Sequence, residues 1–467
     1  MIRNGESMTF RQQLKLTAIL SIPAFFAQIS SIIMQYIDAA MVGSLGAAPS
    51  ASIGLVSTST WLFGSLCGAV STGFSVQVAH LIGGNQMASA RSVLRQALFS
   101  ALIFGLTVAA IGISISSHLP HWLGGGPDIT EDASRYFLIF TCTIPFFQLS
   151  WLGASMLRCS GNLLTPSLLG ILTCILDVVF NFLFIFPTRN IDLLGLSITI
   201  PGADLGVTGA ALGTALAEVV VCSLMLFFLC LRSPLLKLTQ DQGCYLPQRA
   251  TLKKATHIGL PIGIVHFVMC GAQIMTTVIV APLGTIAIAA NAFAITAESL
   301  CYMPGYGIAE AATTLVGQST GAGRPELMKR FANITVGVGM IVMTLMGIIM
   351  YIGAPLMMSM LTPVAEVQSL GVSALRIEAW AEPMFAASIV AYSVFVGVGD
   401  TVMPAAMNLI SIWAVRLSLA AVLAPRYGLN GVWIAMCIEL CFRGMIFLIR
   451  LKWGHWEKKG IKKQSAI

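Results

Sequence analysis

The chain has 467 residues, of which 57% are hydrophobic and only 10% charged, with a net charge of +7. Soluble domains carry about 25% charged residues, so this composition excludes an ordinary soluble protein and marks a polytopic membrane protein. The basic excess falls mainly in loops on one side, so topology explains it and no nucleic-acid partner is expected.

Apolar runs near residues 17–42, 50–79, 96–117, 134–156, 164–187 and 206–231 predict six membrane helices. Runs near 257–281, 286–316, 332–353, 370–395, 402–423 and 429–449 predict six more. The first would rise about 39 Å as a helix, enough to cross a bilayer of about 30 Å with some tilt. No cleavage-like site precedes it, so no removable signal peptide is inferred and the first helix itself is expected to direct insertion. With the amino terminus inside, twenty Lys and Arg residues fall on one side of the membrane, among them Arg3, Arg91, Arg95, Lys458, Lys459, Lys462 and Lys463. Arg135, Arg189 and Arg426 fall on the other. This asymmetry places both termini in the cytoplasm of a cell (plasma or inner) membrane protein. The eleven cysteines are odd in number, sit mostly in apolar runs and contain no CxxC pair. They read as small packing residues rather than disulfides or metal ligands.

A shift of 238 residues superimposes landmarks of the two halves: Pro23 on Pro261, Gly46 on Gly284, Gly83 on Gly321, Gly161 on Gly399 and Pro166 on Pro404. Beyond the outer loop Pro187 to Asp204 the shift becomes 222, which pairs Gly206 with Gly428. The predicted organisation is a six-helix lobe over residues 1–236, a cytoplasmic linker over 237–256 and a second six-helix lobe over 257–467. An even number of helices per repeat gives both halves the same orientation. The expected fold class is thus an all-α integral membrane protein with twelve transmembrane helices in two parallel-repeat lobes, the architecture of an alternating-access transporter.

The charges inside the predicted spans narrow the chemistry. The first half holds Asp38, Asp177 and Glu218 with no intramembrane base. An unpaired carboxylate in low dielectric must be protonated or neutralised by a bound cation, and either outcome serves cation coupling. By helical rise, Asp38, Asp177, Asn181 and Thr214 occupy one shell about 7 to 15 Å below the outer face. Two carboxylates with amide and hydroxyl oxygens suit a Na⁺ site at Asp38, Asp177 and Asn181, or a proton site; a polar packing network between helices is the structural alternative. Glu218 is a further candidate. In the second half Glu298, Glu310, Glu378, Glu382 and Glu439 share the membrane with Arg376, Arg416 and Arg443, and read mainly as ion pairs, Glu439 with Arg443 and Arg416 with Glu378 or Glu382. Glu298 is the least obviously paired and stays a candidate. His266 reads as an interior histidine. No P-loop, GxSxG or HExxH motif occurs, so neither ATP-driven pumping nor hydrolysis is expected, and the protein reads as no enzyme.

The segments Tyr36-Ile37-Asp38-Ala39-Ala40-Met41-Val42-Gly43, Asp177 to Phe186, and Gly206 to Thr214 together resemble the multidrug and toxic compound extrusion (MATE) family. So do Leu260-Pro261-Ile262, Val316 to Gly323, and Gly397-Val398-Gly399-Asp400-Thr401. The resemblance implies two six-helix lobes around a central cavity, exporting organic cations and other amphipathic compounds in exchange for Na⁺ or H⁺, with no other cofactor and no partner needed to complete the cavity. Asp38 matches the family's first-helix acid. The NorM-type branch has a Glu in helix seven where this chain has Met269, and an Asp in helix ten where it has Phe385. The remaining set looks more like the DinF-type branch, although that branch's helix-five order, Asn then Asp, is reversed here as Asp177 then Asn181. A related flippase of lipids or lipid-linked saccharides is the alternative. A major-facilitator carrier would need a basic loop signature absent from His80 to Arg95, and a membrane-embedded transferase would need acidic or histidine clusters absent from the cytoplasmic loops.

Overall fold

The computed structural model describes residues 8–193, 196–454 and 456. Arg3, Lys458, Lys459, Lys462 and Lys463, on which the predicted charge asymmetry partly rests, lie outside the described residues. The first six crossings are α1 (Phe10–Gly43), α2 (Ala47–Gly83), α3 (Met87–Ile115), α5 (Pro127–Cys159), α6 (Leu164–Ile185) and α7 (Gly206–Phe227), with the single turn α4 (Leu119–Trp122) between α3 and α5. The second six are α8 (Arg249–Val280), α9 (Thr285–Gly321), α10 (Pro325–Leu361), α11 (Ala365–Glu378) with α12 (Glu382–Val398), α13 (Val402–Ile410) with α14 (Ser418–Tyr427), and α15 (Leu429–Trp453). Among the described residues eleven spans are long and apolar enough to cross a membrane, and α11 with α12, bent by 60°, make a twelfth when counted as one broken span. The protein is therefore a multi-pass membrane protein.

Three details depart from the predicted elements. The outer loop after α6 is an antiparallel hairpin, β1 (Pro187–Leu193) with β2 (Leu196–Ala203). The span predicted over 370–395 breaks at 379–381; Pro383 falls in the first turn of α12, where its missing N–H costs nothing, whereas in one continuous helix it would forfeit the bond to the residue-379 carbonyl. The linker ends earlier than predicted, because α8 begins at Arg249. Its remaining chain is fixed on the first lobe: buried Arg91 reaches Asp241 and donates to Gln240 Oε1 at 3.0 Å, Arg95 donates to Leu238 O at 3.0 Å, and Gln96 Oε1 accepts from Gln248 N at 2.9 Å.

The repeat is visible in backbone torsions. Gly46 and Gly284 (φ +126° and +99°), Asn85 and Gly323 (+59° and +67°), and Gly161 and Gly399 (+92° and +84°) obey the 238 shift. Gly206 and Gly428 (+54° and +60°) obey the 222 shift. A positive φ carries a steric penalty for most side chains, so equivalent turns in the halves require glycine or asparagine at equivalent places.

The halves meet at the end of the bundle that carries the linker. There His80 Nε2 donates to Gly397 O at 2.7 Å, and Gln318 Nε2 donates to Cys159 O at 2.8 Å. These two bonds exchange under the 238 shift, since His80 corresponds to Gln318 and Cys159 to Gly397. The backbones close in around them: a Cβ on Gly83 would lie 2.1 Å from Gln318 O, and one on Gly321 would lie 1.9 Å from His80 O. Arg158 pairs with Glu310 at 3.1 Å, and Gln77 donates to Thr251 O at 3.2 Å. Towards the hairpin end, contact continues to the Trp61 and His266 rings, whose centroids are 6.0 Å apart. The lobes are thus sealed together at the linker end.

Candidate functional site

Helices α6 and α7 approach closely because α7 presents Gly209 and Gly213, four residues apart, on one face. A Cβ at Gly209 would meet Phe184 O at 2.4 Å, and one at Gly213 would meet Asn181 Oδ1 at 2.1 Å. Small residues at this spacing let helix backbones pack in a bilayer that supplies no hydrophobic drive between them. The same contact fixes Asn181. Its amide donates to Asp38 Oδ1 at 3.0 Å and to Asp177 Oδ2 at 3.1 Å, joining α1 to α6.

Asp177 and Asn181 are each only 1% exposed, and Asp38 is half-buried. The Thr214 hydroxyl and the Asp38 carboxyl also reach Asp177. Two carboxyl groups meet in this way only with a proton or cation between them. Two buried oxygens, Asp177 Oδ1 and Asn181 Oδ1, have no hydrogen-bond partner. Buried acceptors left unpaired are costly, and a hard cation takes oxygen ligands of this kind. Of the set predicted from depth, Asp38, Asp177 and Asn181 are joined through one amide, with Thr214 beside them on α7, and their oxygens suit a proton or a hard cation.

Of the additional candidates, Glu218 is buried one turn further along α7, beside Ser150 of α5, and near enough to Asp177 for their charges to interact. Glu298 is buried on α9, in the second lobe. Tyr136 of α5 lies near both Asp38 and Asp177 and was not predicted; a lone tyrosine in an apolar run gives no sequence signal. Substituting Gly213 by Ala is expected to displace the Asn181 amide from the two carboxyl groups, at an overpacking cost of about 1–3 kcal/mol. A melting curve checks this, and an unchanged melting temperature would contradict it.

The second-lobe acids behave differently from the predicted ion pairs, with one exception. Glu439 pairs with Arg443 at 3.0 Å as the four-residue spacing requires, and accepts from Ser411 Oγ at 2.5 Å. Arg416, on a π-helical stretch (Ser411–Leu417), contacts the Met436 sulfur and makes no ion pair with Glu378 or Glu382. All four carboxyl oxygens of Glu378 and Glu382, which flank the α11–α12 break, lack hydrogen-bond partners. The partner of Glu310 is Arg158 of the first lobe, and Arg376 is exposed, two residues from Glu378 and so on a different helix face. Phe385 packs edge-on to Tyr302 at 5.5 Å and under the Arg443 guanidinium at 5.7 Å.

Two parallel six-helix lobes sealed at one end, with a buried carboxylate pair towards the other, define the two-lobed class of helical membrane transporters. The chain belongs to the MatE family, whose sequence profile matches residues 23–183 and 261–422. It is 24% identical over 453 residues, 96% of this chain and 94% of the relative, to a probable multidrug resistance protein NorM of Thermotoga maritima. It is 27% identical to a Pseudomonas aeruginosa protein of the same name, over 94% of this chain and 89% of that one. The fold matches a crystal structure of MATE in complex with MaL6 with TM-score 0.85, at 21% identity over 98% of this chain and 100% of that one. It also matches the Vibrio cholerae MATE transporter VcmN in its bent form with TM-score 0.85, at 18% identity over 97% and 99% of the two chains.

Proposed function

We propose that the protein is a secondary active multidrug efflux antiporter, exporting organic cations or amphipathic compounds in exchange for H⁺ or Na⁺. The observation that carries this reading is the amide-bridged pair Asp38 and Asp177 with two unpartnered buried oxygens beside it. Relatives named for multidrug resistance support the substrate class. The first-lobe site and the apolar Met269 and Phe385 favour first-lobe coupling of the DinF type, although the relatives carry the NorM name. The protein works as a monomeric carrier rather than an enzyme, in a cell membrane, with both termini cytoplasmic.

In this reading the coupling ion enters from the hairpin end and takes the place between the carboxyl groups, with Asn181 and Thr214 completing its oxygen shell. Helix α1 links this event to the other lobe. It carries Asp38, and its Ala24 and Phe25 backbone, next to Pro23, packs against Gly307 of α9. A drug bound in the cleft between the lobes competes with the ion through the position of α1.

The test is transport of ethidium in proteoliposomes under a Na⁺ gradient and, separately, a proton gradient. Antiport predicts movement that follows one gradient and stops when it is dissipated. Indifference to both gradients would overturn the reading.

A further inference from the structure

The outer halves of α1 and α8 carry two glutamines that the carboxylate site leaves unused. Gln35 and Gln273 correspond under the 238 shift, one in each half of the chain. Both are exposed, and among the described residues neither carboxamide has a hydrogen-bond partner.

Helix periodicity fixes the direction in which they point. Eleven residues make three turns almost without rotation, so Gln13, Ala24 and Gln35 share one face of α1. Gln13 and Ala24 are buried, and the Ala24 and Phe25 backbone packs against Gly307 in the other half. Exposed Ile33, two residues from Gln35, marks the lipid side nearly opposite. On α8, Ile262 and Gln273 share a face by the same spacing, and His266 between them meets the Trp61 ring of the first lobe at 6.0 Å. Phe267 and Val278, exposed on the lipid side of α8, lie about a third of a turn or more from Gln273. Contact between the lobes thus follows these two faces outward from the linker end and stops short of the glutamines. Both carboxamides face the cleft rather than lipid.

Helix α1 packs on α9 and α2 packs on α8, so α1 and α8 stand diagonally across the cleft. Trp61, 50% exposed, forms its floor where it meets His266. The exposed face of the outer half of α2 is Gly54, Ser57 and Thr58, which is not a hydrocarbon surface. The two glutamine faces carry no charge beyond Ala24 and Ile262, because Asp38 turns towards Asn181 of α6. Each carboxamide offers two donors and one acceptor oxygen, and an indole offers a flat apolar surface.

We infer that Gln35 and Gln273 are specificity-determining residues of the cleft, hydrogen-bonding one flat aromatic substrate at two opposite edges, one edge from each lobe. The inference rests on the proposed reading of the cleft as the drug site. It selects ring systems that carry an amine, hydroxyl or carbonyl at both edges, charged or not.

The test is equilibrium binding to the purified full chain in detergent, with no gradient, so that coupling plays no part. Ethidium, whose ring system has an amine at each end, is compared with tetraphenylphosphonium, which has no hydrogen-bonding group. Gln35→Met and Gln273→Met keep the side-chain length and remove the hydrogen-bonding atoms. Each is expected to raise the Kd for ethidium about three- to tenfold, and the double variant by the product of the two, at one dye per chain. Tetraphenylphosphonium should bind all three variants within about twofold of the wild type, which also shows that they fold. In the wild type, a phenanthridinium lacking both amines should bind about tenfold or more weakly than ethidium, a comparison that needs no variant. Failure of the wild type to bind ethidium, two dyes per chain, equal losses for the two cations, or an amine-free ligand bound as tightly as ethidium would overturn the inference. Selective loss of ethidium binding in a chain whose transport ignores both gradients would uphold the glutamine pair and remove the antiport reading alone.

Discussion

Under the proposed antiport mechanism, Asp38→Asn is expected to yield a folded carrier whose ethidium transport no longer follows the ion gradient. Folding survives because Asn is isosteric with Asp and its carbonyl still accepts from the Asn181 amide that now donates to Asp38 Oδ1 at 3.0 Å. Coupling fails because the neutral amide can neither be protonated nor offer charge to a cation. The affinity for the coupling ion should fall on the order of 5- to 150-fold, the range spanned by coupling free energies of about 1–3 kcal/mol. Asp177→Asn should match it, since both acids share one amide donor, while Glu218→Gln, at a site that makes no hydrogen bond to the pair, should retain gradient-driven transport. The measurement is initial transport rate against ion concentration for all three variants. A normal ion dependence in Asp38→Asn would remove the carboxylate pair from the mechanism.

Gly321→Ala is expected to break the seal between the lobes. The added methyl would lie 1.9 Å from His80 O, a backbone atom with no rotamer to escape into, so α2 and α9 must separate. Separation strains two hydrogen bonds worth about 0.5–1.5 kcal/mol each and adds an overpacking cost of about 1–3 kcal/mol. Cys159, whose carbonyl accepts from Gln318 and which is only 4% exposed, then becomes reachable. Maleimide labelling of Cys159, followed peptide by peptide, should rise at least about tenfold while transport falls comparably. Gly83→Ala, facing Gln318 O at 2.1 Å, should do the same from the other side. Unchanged labelling in both would show that the seal has slack.

The parts of this structure legible in the sequence are those fixed along a single helix or by chain direction. Spans follow from apolar runs, and depth follows from helical rise, which put Asp38, Asp177, Asn181 and Thr214 in one shell before any packing was known. The same logic gave Glu439 and Arg443, four apart on α15. Rotation and neighbour choice between helices were not legible. Arg416 and Glu378 share a depth yet form no pair, and Glu310 finds Arg158 in the other half. Arg376 could have been set apart from Glu378 by its two-residue spacing, which puts side chains on different helix faces. The hairpin over the site gave no signal, because β1 and β2 lie between two helices in a segment that reads simply as a long connection.

The reciprocal seal is a symmetric contact. His80 reaching Gly397 and Gln318 reaching Cys159 are one contact made twice, with the roles of the halves exchanged, and Gly83 and Gly321 repeat it in the backbone. Contact of one patch with its own copy is the signature of an isologous two-fold dimer. The two halves of the chain therefore meet across a pseudo-dyad. The symmetry is incomplete: under the 238 shift Asp38 and Asp177 stand where the second half has Thr276 and Val415, and His80 stands where it has Gln318.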